Sequence, residues 1–184
     1  ASRLCGAISH MPIMDRDLEI GRIVLSLVDS RTIQSRLSKA LAAAQSALAT
    51  DFSKPAASVA LSLDVFGSQL PVELRSCRLS VLRAGTVHQI ESHPNATQYV
   101  LSLDGEGTIR VKSDDEWVAS ALSSDPEDSL SDRWHTVPAN TWHQPTPGDH
   151  DWTVVAFHTV PANELRDEYG YVDGCRDNKS MDRT

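Results

Sequence analysis

The sequence predicts a mainly β domain, a small barrel or sandwich of short strands, with an N-terminal two-helix cover. Three observations carry that expectation. Residues 15–50 place apolar side chains at helical spacing, whereas from residue 59 the apolar period falls to two. Gly, Pro, Asn and Asp then cut the remaining chain into short segments. Helices first and strands after suggest a β core covered on one side.

The elements follow in order. Residues 1–10, ASRLCGAISH, have neither the apolar core nor the cationic start of a secretory signal. Ser9-His10-Met11 reads as a cloning scar followed by a start at Met11. Residues 11–55 form the helical segment. Ile20, Ile23, Val24, Leu27 and Val28 make one stripe, Asp29-Ser30 supplies a stop and a new N-cap, and Ile33, Leu37, Leu41, Ala44 and Leu48 make the second. Pro55 ends it, since proline cannot continue a helix. Residues 56–165 are assigned to the barrel. Its strands are expected around 59–65, where Val59, Leu61, Leu63 and Val65 alternate, and at 76–83, 97–103, 106–112, 134–138 and 152–160. Asp104-Gly105-Glu106-Gly107 reads as a tight hairpin. The acidic stretch 119–132 reads as a mobile surface loop and 166–184 as a polar C-terminal tail.

Composition narrows the partners. A net charge of −8, a pI near 5.3 and no cluster of basic residues disfavour nucleic acid and anionic membrane. No run of apolar residues is long enough for a membrane-spanning helix. Cys5, Cys77 and Cys175 are far apart and odd in number, which argues against a disulfide framework and for a reducing, cytoplasmic setting.

Two segments carry chemistry. In the first, Gly85 is followed after five residues by Glu91-Ser92-His93, after four more by Gln98, and after six more by Gly105. In the second, Asp132 is followed after five residues by Pro138-Ala139-Asn140, then by His143 after two, and Pro147 after three. These segments resemble the paired motifs of the cupin superfamily, the double-stranded β-helix (jelly-roll) barrels. There the first motif usually has His at the position of Glu91 and Glu at that of Gln98. The second usually has Gly at Asp132 and Asn140, and Asn at Pro147. Asn140 suits its place because asparagine tolerates the left-handed backbone of a tight turn.

The resemblance implies that Glu91, His93 and His143 converge inside the barrel and hold a divalent metal. Residues i and i+2 of a strand share a face, so Glu91 and His93 point together, with His143 facing them from a neighbouring strand. Two imidazoles and a carboxylate suit an open-sided non-haem iron(II) centre, with zinc, nickel or manganese as alternatives. Gln98 stands where a fourth ligand is usual; as a neutral amide it is better placed to hydrogen-bond one. The competing expectation is a barrel that has lost its metal, with Glu91, His93 and His143 as satisfied interior residues. Burying three such groups without metal or substrate is costly, which favours the metal.

Other residues are weighed beside them. His158 lies fifteen residues after His143. Its place is similar to that of a histidine in thiol dioxygenases of the cysteine dioxygenase type, within a Ser-x-His-x-Tyr run that reads Ala156-x-His158-x-Val160 here. That resemblance implies an orienting or acid/base role. His88 has the wrong strand parity for a ligand and is expected at a surface or loop edge, His135 near the barrel mouth, and His150 in an exposed turn. Trp134, Trp142 and Trp152 are expected to fill the barrel ends. Arg75, Arg78 and Arg83 lie on or beside a predicted strand. Arg78 and Arg83 have opposite parity, so at most one points inward, where it would meet a substrate carboxylate; the competing expectation is two or three solvated surface charges.

The combined expectation is a metal-dependent dioxygenase acting on a small polar metabolite, with dioxygen as co-substrate and His158 or Gln98 orienting substrate or passing a proton. A metal-dependent isomerase, lyase or cyclase uses the same site without oxygen. A non-enzymatic cupin binding a small molecule, or a partner through its helices, uses no metal. The resemblance further implies a homodimer.

Overall fold

A computed structural model of the chain describes residues 13–170. The expected scar at 1–10 and the tail beyond residue 170 lie outside the described residues. The cover forms as α1 (Ile13–Val28) and α2 (Arg31–Thr50). Ser30 is the N-cap of α2, its hydroxyl accepting the Ile33 N–H at 3.4 Å. At the other end of α2, the Arg83 guanidinium donates to the carbonyls of Leu48, Asp51 and Lys54, placing a cation at the negative helix terminus. Arg83 is therefore the outward arginine.

Among the described residues, ten strands follow in two antiparallel five-stranded sheets. The first sheet has the order β1 (Ala56–Leu61), β2 (Ser76–Leu82), β9 (Trp152–His158), β4 (Gln98–Asp104), β7 (Trp134–Val137). The second has the order β10 (Glu168–Gly170), β3 (Ile90–Ser92), β8 (His143–Pro147), β5 (Glu106–Ser113), β6 (Glu116–Ser123). This is the mainly β jelly-roll barrel with a two-helix cover that the sequence predicts. No helix among the described residues is long and apolar enough to cross a membrane.

Strand alternation divides the apolar residues into two cores. Leu79, Val81, Leu101, Val155 and Phe157 leave the outer face of the first sheet and pack with Ile20, Val24, Ile33, Leu37 and Leu48 of the helices. The alternate residues Leu82, Val100, Val137, Trp152 and Val154 turn inward and meet Ile109 and Leu122 of the second sheet. The larger core therefore lies outside the barrel, between sheet and helices.

Several expectations change. The first strand is Ala56–Leu61, and a 3-10 turn over Leu63–Phe66 follows because the Ser62 hydroxyl accepts the Asp64 N–H. Asp104–Gly107 is not a hairpin: β4 and β5 belong to different sheets, and Gly105, at φ 81°, turns the corner between them. The stretch 119–132 is not simply a loop. Its first part completes β6, an edge strand paired along β5, and its last part is the short helix α3 (Leu130–Arg133). The tail reading at 166 onward fails at Glu168–Gly170, which pairs with β3. Only Trp152 fills the barrel. Trp134 stacks on Tyr99 beneath α1, and Trp142 lies against Gly170.

Candidate metal centre

β3 and β8 meet through a single residue pair, Glu91 opposite His143. Directly opposed residues of an antiparallel pair project on one face, and Glu91 Oε1 lies 3.4 Å from His143 Nε2. His93 follows just beyond β3 with its Nε2 at 3.9 Å from the same oxygen. The three residues each offer a ligand atom within 4.8 Å of the others. Asn140, at φ 60°, makes the predicted left-handed turn before His143, and its N–H donates to the His93 carbonyl at 2.9 Å. The two motif segments are thus tied to each other at the site.

The environment of each group fits a cation. His93 and His143 are almost fully buried, and the Nε2 atom of each has no hydrogen-bond partner among the described residues. Two orphaned imidazole nitrogens in one buried place cost free energy unless something completes them. His143 Nδ1 lies 3.0 Å from the Thr141 carbonyl, which fixes the ring with Nε2 turned to the site. His93 Nδ1 lies 2.9 Å from Asp167 Oδ1, in a contact too bent for a well-formed hydrogen bond. Burial pushes the Glu91 carboxyl up. The contact with His143 and the charges of His143, Arg78 and His93 outweigh it and hold the group below the usual carboxylate range.

The first sheet supplies the opposite wall. Ser76, His158, Gln98 and Val137 form one cross-strand row, and Arg78, Ala156, Val100 and His135 the next. Val100 and Val137 belong to the interior core, so both rows face the barrel interior. His158 lies edge-on to His93, ring centres 5.0 Å apart. Burial, with help from Arg78 and His93, lowers its pKa to about 3, so the imidazole is neutral at physiological pH. The Gln98 side-chain nitrogen lies 3.4 Å from His158 Nε2, while Gln98 Oε1 is buried without a partner among the described residues. The amide is engaged with His158 rather than with the three converging ligands.

Arg78 is the inward arginine, half-buried and without a hydrogen bond or ion pair among the described residues. Its charge acts on Glu91, His158, Asp167 and Tyr169, the groups around the site. His135, in the same row, has its Nε2 buried without a partner among the described residues, and burial lowers its pKa. His88 is not on the surface. It is 5% exposed, its Nε2 within reach of the Arg83 carbonyl and the Thr86 hydroxyl, a loop anchor rather than a ligand. His150 sits in an exposed turn. Asp167 had no signal in the sequence; it lies in a polar, acidic run like many surface segments.

A surface cleft of about 370 Å³ lies elsewhere. Glu106, Gly107, Thr108, Leu122 and Gly148 line it, at the far end of β5 and β8 from His143. None of the three ligand-type residues borders it.

No family model matches the chain, and no curated protein does. Solved structures are similar over part of their length. The oxalate decarboxylase of Lactobacillus farciminis is 13% identical over 63% of this chain and 31% of its own, with a TM-score of 0.48. A recombinant oxalate oxidase in complex with glycolate is 12% identical over 62% and 55%, also at 0.48. The capsular polysaccharide assembling protein CapF of Staphylococcus aureus is 18% identical over 52% and 28%, at 0.44. This chain thus spans well under two thirds of each of these proteins. Similarity at this level says nothing of activity.

Proposed function

We propose that the chain is a metal-dependent enzyme, a non-haem iron(II) dioxygenase acting on a small, negatively charged metabolite. The observation that carries this reading is the set of Glu91, His93 and His143, with two buried Nε2 atoms that have no hydrogen-bond partner among the described residues. Two imidazoles and one carboxylate suit iron(II) and leave coordination positions open. An iron(II) ion held there would supply open positions for substrate and dioxygen and the electrons that dioxygen chemistry needs.

The chain's own residues do the rest. Glu91 and Asp167 bring two negative charges and Arg78 one positive charge, so a divalent ion leaves the site with one excess positive charge. That balance favours a monoanionic substrate. Arg78 is placed to bind its carboxylate, and guanidinium groups match carboxylates through paired N–H donors. His158, neutral and steadied by Gln98, orients the bound molecule without adding charge. The apolar cluster of Val100, Val137 and Val154 closes the interior behind it and excludes water.

Elemental analysis of protein purified without added metal, followed by turnover with and without dioxygen, tests the reading. Stoichiometric iron and oxygen-dependent turnover are expected. Turnover under strict anaerobiosis would instead assign isomerase, lyase or cyclase chemistry, and a protein that holds no divalent ion would be a non-enzymatic binder. Arg78→Gln should retain the metal but bind small carboxylic acids more weakly. A charged hydrogen bond contributes about 1.5–3 kcal/mol, about 10–100-fold in affinity by calorimetry.

A further inference from the structure

The segment 161–170 runs back from β9 across the mouth of the site and touches the segments carrying all three ligand-type residues. The Pro161 carbonyl accepts the N–H groups of Glu164 and Leu165, which turns the chain. Asn95, two residues past His93, then holds the segment on both sides. Its Nδ2 donates to the Glu164 carbonyl at 2.7 Å, and its Oδ1 accepts the Arg166 N–H at 3.1 Å. Next, β10 pairs with β3, with Tyr169 opposite Glu91. Gly170 closes against Trp142, the neighbour of His143; a Cβ there would sit 3.3 Å from the indole. Between the Asn95 clamp and the β-pairing lies Asp167, with Oδ1 at 2.9 Å from His93 Nδ1.

That placement is specific. His93 has two ring nitrogens; a carboxylate 2.9 Å from Nδ1, even in a bent contact, favours the proton on that nitrogen by its charge and leaves the Nε2 lone pair toward Glu91 and His143. We propose that the segment 161–170 is a built part of the metal centre, and that Asp167 is its positioning residue, orienting His93 for metal binding. The inference rests on the metal reading above and deepens it. A mere surface ion pair would need no clamp, whereas here hydrogen bonds from Asn95 and a strand pairing converge on delivering one carboxylate to one imidazole.

Metal affinity, read by competition of the full chain with a chromophoric chelator for cobalt(II) and iron(II), tests this without any assay of turnover. Asp167→Asn is expected to lower affinity about 10–100-fold, the usual consequence of losing an outer partner of a ligating histidine. Asp167→Glu should recover part of that loss, which a purely structural role would not require. Asn95→Ala, which leaves Asp167 and all three ligand-type residues intact, should also weaken binding and broaden the cobalt(II) absorption bands. The metal-free variants should melt within a few degrees of the parent. Equal affinity of Asp167→Asn and the parent overturns the inference alone, as does Asp167→Glu no better than Asp167→Asn. A parent protein that binds neither ion overturns the metal reading and this inference together.

Discussion

His143→Ala will leave the protein without bound metal and without metal-dependent turnover. His143 projects from the one residue pair that joins β3 to β8, is 1% exposed, and has its Nδ1 occupied by the Thr141 carbonyl. Nε2 is therefore its single contribution to the site. Loss of an outer partner already costs about 10–100-fold in affinity; loss of a ligand should exceed that and empty the site during purification. Glu91→Ala should behave alike, because two imidazoles alone make a weak, neutral donor set. Elemental analysis of both variants, with melting curves of the metal-free proteins to show that they fold, gives the answer. A Glu91→Ala protein that keeps full stoichiometric iron would remove Glu91 from the site.

Trp152→Ala will have the largest effect on stability. Trp152 is fully buried in the interior core, its indole N–H donates to the Ser102 hydroxyl at 2.8 Å, and its ring lies on Gly107 where no side chain fits. Truncation leaves a large cavity between the two sheets and removes the indole hydrogen bond to Ser102, whose hydroxyl keeps its bond to the Gly105 carbonyl. Such losses cost about 3–5 kcal/mol, which in a domain of this size lowers the melting temperature by about 10 °C or more. Denaturant unfolding followed by circular dichroism measures it. Trp152→Phe should cost less, since the ring is kept and only the hydrogen bond and part of the volume are lost. A change of under about 1 kcal/mol for the alanine variant would mean that the cavity collapses.

The site was more legible in the sequence than the strands that build it. The spacing from Gly85 to Gly105 and from Pro138 to His143, matched to the paired motifs it resembles, singled out Glu91, His93 and His143, whose ligand-type atoms lie within 4.8 Å of one another. Asn140 was legible because few residues accept a positive φ. β3 and β10, of three residues each, are too short for a period of two to register, and β8 contains two prolines. β6 was hidden for a different reason: its end, ASALS at 119–123, runs directly into the acidic, proline-containing stretch 124–129 and reads as part of it. Trp134 was misplaced because tryptophan near a motif says nothing of which sheet face it takes. Parity reduced Arg78 and Arg83 to one inward residue, and only the register of β2 with β9 chose Arg78. Asp167 reaches His93 from seventy-four positions away, a contact set by chain path alone.

The placement of the larger core between the first sheet and the helices separates two kinds of selection on this chain. Polar positions of the interior rows, such as Arg78 and His135, can change without disturbing the larger apolar layer, which lies on the opposite face of the same sheet. By the same token the helices are no detachable ornament. A barrel begun at residue 56 would present Leu79, Val81, Leu101, Val155 and Phe157 bare to water, an apolar wall of the kind that drives self-association.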